Sequence, residues 1–340
     1  MAWWKGWREE ESRFVTGALS FDPKPDAQTL YKAMKGLGEL TSLITIQLKG
    51  RLAGYLNLNL GLQAIIDVLT KRSNIQRQQI AKSFKAQFGK DLIESLKSEL
   101  SGKFERLIVA LMYPPFKYDA KELHDAMKGV GTSEGTIIEI LASRTKAQIK
   151  EIIKAYKEEY NSDLEEDIKS ETSGYFEQIL VSAACVTSLV TVHVKLQALY
   201  AAGEKIRGTD EIQFITILCT RSATHLLKVF EEYQKLASKS IEDTIKSETH
   251  GSLEDAMLAI VKCTRNIHCY FAERLYYALK GAGTHDGTLI RVIVSRNEVD
   301  LNLIKAEFKK IAGQSLSSSI LDDTSGDYKT ALLNLCGSDD

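Results

Sequence analysis

Along residues 119–180 apolar side chains return every three or four positions, interrupted at short intervals by glycine, serine or asparagine. Leu123, Ala126 and Met127 share one face of a helix over 119–128. Gly129-Val130-Gly131-Thr132 ends it, because glycine tolerates the positive φ of a helix C-terminus. Thr132 or Ser133 then caps a second helix with Ile137, Ile138, Ile140 and Leu141 as its core face. Ile149, Ile152, Ile153 and Tyr156 mark a third, longer helix that Asn161-Ser162 punctuates. Leu164 and Ile168 mark a fourth. A fifth starts after Ser173-Gly174 with Tyr175, Phe176, Ile179 and Leu180 as its apolar set. The pattern predicts five short helices per unit and an all-α fold.

The unit recurs. Arg72, Arg144, Arg221 and Arg296 are 72, 77 and 75 residues apart, and 27 positions after each stands an acid: Glu99, Glu171, Glu248 and Asp323. IIDVLTKRS, IIEILASRT, FITILCTRS and LIRVIVSRN precede that gap; KSELSGKFE, KSETSGYFE, KSETHGSLE and LDDTSGDYK come after it. Self-similarity of this kind predicts four small modules packed together, with any recurring function placed at positions polar in every copy. The expected division is a tail over 1–25 and repeats over 26–115, 116–184, 185–262 (with a connector) and 263–340.

Two runs depart from the pattern. From Thr132, Thr209 and Thr284 the matching acid lies 39 positions on, whereas from Glu39 to Glu99 it is 60, an insertion of about 21 residues over roughly 39–62. This β-branched, Leu- and Gly-rich text shows no steady helical period, which predicts a poorly defined segment. Lys49 and Arg51 count against a buried or membrane-spanning role. Ser182 to Gln197 likewise puts a β-prone run where a charged helix is expected between the second and third copies.

With 44% hydrophobic and 26% charged residues the composition is that of a soluble globular protein. A net charge of -1 supplies no global field toward nucleic acid or an anionic membrane, so any membrane attraction is local or supplied by a cation. Cys185, Cys219, Cys263, Cys269 and Cys336 lack a CxxC pattern and read as reduced, packing thiols of a cytosolic protein. The N-terminus has no uninterrupted apolar run of a signal peptide, and no charge-free apolar stretch reaches membrane-spanning length. The six histidines lack paired-ligand spacing, and no Walker loop, dinucleotide fingerprint, GxSxG or recurring nucleophile with a base appears. An enzyme is not expected.

The chemistry-bearing candidate is the Gly-x-Gly-Thr loop with its distant acid. Glycines let successive carbonyls turn inward, and calcium takes six to eight hard oxygens at flexible geometry. Carbonyls with one bidentate carboxylate give part of that shell, leaving room for water or a phosphate oxygen. A single carboxylate implies weak unaided affinity, about 10⁻⁵ to 10⁻³ M. A single such loop reads more readily as a helix C-cap glycine before an N-cap threonine. Three copies at one offset favour the ion site. The repeated arginines, each ending an apolar helix, suit buried bidentate pairing and are read as structural. Lys35, Lys128, Lys280 and Arg207 sit within the loops, where each adds roughly 1 kcal/mol beside an anionic leaflet.

On these loops and acids, with GEKIRGT as a variant third loop, the sequence resembles the annexin family over roughly Asp26–Gly337 apart from the two departures. The resemblance implies four five-helix repeats wound into a curved disc, with calcium loops on the convex face binding phosphatidylserine-type lipids. It implies roles in membrane organisation, vesicle traffic and anticoagulant-type masking of anionic lipid. It also implies a cytoplasmic protein that becomes peripheral on membranes when calcium rises. Carried over, the ligands are the carbonyls of Met127, Gly129 and Gly131 with Glu171; Gly203, Ile206 and Gly208 with Glu248; and Leu279, Gly281 and Gly283 with Asp323. In the first copy they are Met34, Gly36 and Gly38 with Glu99, where Glu39 replaces the threonine. Lys128, Arg207 and Lys280 are the lipid-facing cations, and nucleic acid is not a partner. The competing reading is a calcium-independent helical adaptor that captures a protein partner through Trp3, Trp4 and Trp7 of the tail.

Overall fold

The computed structural model describes residues 21–44, 51–129, 131–185, 211–281 and 283–337. Every regular element among them is a helix. The first repeat holds α1 (Lys24–Ile44), α2 (Arg51–Thr70), α3 (Asn74–Phe88), α4 (Leu92–Glu99) and α5 (Gly102–Met112). The second holds α6 (Pro115–Met127), α7 (Glu134–Ser143), α8 (Lys146–Tyr160), α9 (Leu164–Glu171) and α10 (Gly174–Ala184). In the third are α11 (Glu211–Thr220), α12 (Ala223–Ala237) and α13 (Ile241–Glu248). The last helix of that repeat and the first of the next form one element, α14 (Ser252–Leu279), kinked at Asn266 with φ -157 and ψ 99. The fourth repeat closes with α15 (Asp286–Arg296), α16 (Leu301–Ala312), α17 (Leu316–Asp323) and α18 (Gly326–Cys336).

The repeated text maps onto repeated punctuation. Gly102, Gly174, Gly251 and Gly326 take φ of 63, 64, 65 and 62, so the SG or HG of every copy is the left-handed residue that opens the last helix. The long helices α3, α8, α12 and α16 end at Gly89, Asn161, Ser238 and Gly313, all left-handed. Ser73 and Thr145 start α3 and α8 with capping boxes to Gln76 and Gln148.

Two compact units result. One joins the described residues up to Pro115 with those from Phe271 onward, and the other is Phe116–Tyr270. The first unit therefore pairs repeats that lie farthest apart in sequence. Its core of Leu30, Ile65, Leu69, Ile80, Phe84, Leu96 and Leu111 is packed by Val294 and Leu335 from the fourth repeat. Arg77, 2% exposed, crosses between those repeats: its Nη2 lies 2.7 Å from Glu298 and its Nη1 donates to the Leu69 carbonyl at 3.0 Å. In the second unit the periodic residues of α6 to α10 are buried as expected, except that Ile153 and Phe176 are half-buried and Tyr175 is exposed. Tyr175 comes directly after the left-handed Gly174 in the first turn of α10, before that helix meets its neighbours.

The insertion is helical where described, although its sequence shows no steady helical period. α1 runs on to Ile44, and α2 starts at Arg51 and continues into the QAIIDVL helix. Leucine is a strong helix former, and an inserted helix needs no amphipathic period to propagate. Residues 182–184 complete α10, and 186–197 of the second departure lie outside the described residues.

Three of the four repeated arginines form carboxylate pairs that hold the fold together. Arg72 grips Asp26 at 2.6 and 3.2 Å, and Arg144 grips Asp119 at 2.7 and 2.9 Å. Arg296 takes Asp300, one turn on, through Nε at 2.8 Å and through Nη2. Among the described residues the five cysteines form no disulfide; Cys336 is buried, the others half-buried. Burial pushes the Cys219 thiol up to about 12, which suits packing rather than reactivity.

Candidate functional site

The second and fourth loops have one construction. α6 stops at Met127 and α14 at Leu279, so the carbonyls of their last turns have no helical partner. The chain then passes through Gly129 and Gly131 at φ 108 and 91, and through Gly281 and Gly283 at φ 120 and 121. Only glycine takes these values without strain. Each loop is pinned by a backbone bond across seven residues: Ser133 N–H to the Ala126 carbonyl, and His285 N–H to the Ala278 carbonyl, both 2.8 Å.

The acids end the fourth helix of each repeat: Glu171 on α9, Asp323 on α17, Glu248 on α13 and Glu99 on α4. The Thr132 hydroxyl donates to the Glu171 backbone carbonyl at 3.4 Å, and the Thr284 hydroxyl to that of Asp323 at 3.2 Å. The 39-residue spacing is thus a physical contact, made twice. Of the two expected caps, Thr132 and Ser133, it is Ser133 that holds the N-cap position, as His285 does in the fourth repeat, both without a side-chain cap bond. The threonine hydroxyl serves as a tether to the acid's helix end. Sequence spacing pointed to this pair but not to that role.

Glu171 and Asp323 are exposed, and among the described residues neither pairs with a cation. Positive-φ glycines, helix-end carbonyls without a partner in their own helix and one open carboxylate fit a hard cation that takes oxygen ligands. Among the described residues no group of three or more His, Cys, Asp or Glu could hold a metal ion, so a soft-ligand or polycarboxylate centre has no donors there.

The other two loops differ. Met34, Gly36 and Gly38 lie inside α1, where carbonyls are committed to helical bonds four residues on; the expected first site is not formed, although Glu99 still ends its helix. Gly203, Ile206, Arg207 and Gly208 lie outside the described residues, leaving Glu248, exposed at the end of α13, as the described part of the third site. Lys128 and Lys280 are exposed on their loops. The Lys280 ammonium folds back over the Tyr276 ring at 5.0 Å from its centroid, and its hydrogen bond to Tyr276 holds its pKa above the ordinary value.

The annexin family model matches residues 61–111, 118–183, 197–260 and 270–335, beginning in the first repeat only at the end of the insertion. The chain is 68% identical to human annexin A8 over 347 aligned positions covering 100% of both, and 50% identical to human annexin A4 over 96% of this chain and 98% of that one. A solved structure of an annexin A8 variant with an intact N-terminus superposes with a TM-score of 0.83 at 68% identity, over 94% of this chain and 96% of that one. Calcium-bound annexin (Sm)1 superposes at 0.73 with 29% identity, over 95% and 91%. Four matched repeats and a full-length relative at this identity establish that the chain belongs to the annexin family.

Proposed function

We propose that this annexin binds anionic phospholipid membranes in the presence of calcium, through the loop-and-acid pairs of its second and fourth repeats. The carrying observation is the threonine hydroxyl bonded to the acid's carbonyl in both, which brings a carboxylate to the rim of a glycine loop. The ligands are the carbonyls of Met127, Gly129 and Gly131 with Glu171, and of Leu279, Gly281 and Gly283 with Asp323. Gly203, Ile206 and Gly208 with Glu248 complete a third set. When bound, calcium supplies positive charge with open coordination positions, which lipid oxygens fill. Weak sites that gain affinity from a lipid anion, used several at a time, make association peripheral and calcium-gated. No described helix is long and apolar enough to cross a membrane, consistent with surface binding. The residues 1–20 that would take a protein partner lie outside the described residues.

Co-sedimentation with phosphatidylserine-containing vesicles tests this directly. Glu171→Gln with Asp323→Asn is expected to remove most calcium-dependent pelleting, and undiminished pelleting would overturn the assigned ligands.

A further inference from the structure

Each of the two formed loops is flanked by the neighbouring repeat of its own unit, and the two neighbours supply opposite charge. In the first unit, Lys103 Nζ lies 2.7 Å from Asp286 Oδ2, and the Asp286 N–H donates to the Thr284 carbonyl of the fourth loop at 3.0 Å. Beside it the Arg106 guanidinium rests on Gly287, where an added Cβ would stand 3.1 Å from Nη2. Lys103 remains 60% exposed at its side chain, Arg106 is exposed, and among the described residues no carboxylate pairs with Arg106.

In the second unit the matching repeat positions hold Ser252 and Asp255, each 149 residues on, the same offset that relates Arg72 to Arg221. Ser252 donates its hydroxyl to Glu134, the residue that matches Asp286. Over the positions from two before the acid to six after it the change runs slightly the other way, with Leu321, Asp322 and Asp327 standing for Lys169, Ser170 and Tyr175 and Lys329 for Glu177. Earlier in the same helix, however, Ser317, Ser318 and Ser319 stand for Glu165, Glu166 and Asp167. At the fourth loop Lys103 and Arg106 of the first repeat add positive charge that Ser252 and Asp255 do not add at the second.

We propose that Lys103 and Arg106 make the fourth loop a direct contact for the anionic headgroup of a membrane lipid, engaged at lower calcium than the second loop. The inference rests on the loops being the membrane-binding surface. Two cations near the loop disfavour a bare calcium ion but favour a lipid phosphate or carboxylate that arrives with it. The first repeat, whose own loop is not formed, thus acts through its neighbour.

The test isolates each loop in the full chain, using Glu171→Gln/Glu248→Gln to leave the fourth and Asp323→Asn/Glu248→Gln to leave the second. Lys103→Ser with Arg106→Asp, copying the second unit, is then added to both. With phosphatidylserine vesicles, the calcium needed for half-maximal pelleting is expected to rise roughly tenfold in the first background and less than twofold in the second. Without lipid, calorimetric calcium uptake by the fourth loop is expected to hold or tighten. Equal shifts in both backgrounds, no shift in the first, or a matching loss of lipid-free uptake would overturn the proposal, the last by showing a collapsed loop. Failure of the unmutated chain to pellet would instead overturn the reading of the loops themselves.

Discussion

The first and second repeats reach their loops with nearly the same residues, Met34-Lys35-Gly36-Leu37-Gly38 and Met127-Lys128-Gly129-Val130-Gly131, yet only the second forms one. The two chains diverge immediately after the second glycine. Thr132 has a hydroxyl to donate to the Glu171 carbonyl; Glu39 stands at the matching place and, when ionised, only accepts. Beyond it the first chain meets an insertion that continues as helix, whereas the second starts α7 at Glu134. Glycines permit a left-handed loop without imposing it. A tether on the far side is needed to hold it against the helix that would otherwise run on.

The largest break in the comparison concerns the arginines that close the second helix of each repeat. Arg144 and Asp119 have side chains 4% and 6% exposed, while Arg72 and Asp26 are 34% and 13% exposed. Arg144→Ala strands a buried carboxylate and should cost about 3–5 kcal/mol. Arg72→Ala should cost only about 1–2 kcal/mol, because water reaches the pair. Urea unfolding of the two variants measures both. Equal losses would mean that burial does not set the strength of these pairs.

Glycine substitution sharpens the loop comparison itself. At φ 91, Gly131→Ala should lose about 1–2 kcal/mol of loop stability and weaken calcium-dependent pelleting. Inside α1, Gly36→Ala should gain up to about 1 kcal/mol and leave pelleting unchanged. A loss of pelleting with Gly36→Ala would show that the first loop forms on the membrane.

These contrasts also mark how far the sequence could be read. Ile137, Ile140, Ile149, Ile152 and Ile168 announced their burial through spacing, because a repeated helical face has a single direction to hide in. The 27-residue interval between arginine and acid placed every acid at a helix end. The arginines' own partners were hidden. Asp26 stands 46 residues before Arg72 and Asp119 only 25 before Arg144, so the insertion destroyed the one regularity that would have exposed the pair. The part of α2 before Gln63 was missed for a related reason: its leucines give helix propensity without the one-sided pattern that sequence reading depends on. The flanking of each loop by a neighbouring repeat was invisible for a different reason, since pairing the first repeat with the fourth is a property of the packed unit.

The threonine tether is a smaller but more specific lever. Thr132→Val keeps the shape and removes the donor, at an expected cost of about 1 kcal/mol and a severalfold rise in the calcium needed by the second loop. Thr284→Val should cost slightly more, its bond being 3.2 Å against 3.4 Å. Calcium titrations of vesicle binding decide the order, and a null result for both would mean the threonines hold nothing.

The smallest effect separates side chain from backbone within one loop. Thr145 caps α8 through a capping box, so Thr145→Ala should cost about 1 kcal/mol. Ser133 also precedes a helix, but among the described residues its hydroxyl reaches only that of Thr136, at 3.0 Å. What Ser133 gives the loop is its N–H, bonded to Ala126 at 2.8 Å, and alanine keeps that group. Ser133→Ala should therefore cost less than about 0.5 kcal/mol and leave the calcium response in place. A loss as large as that at Thr145, measured by the same chemical denaturation, would place the serine hydroxyl among the groups that hold the loop closed.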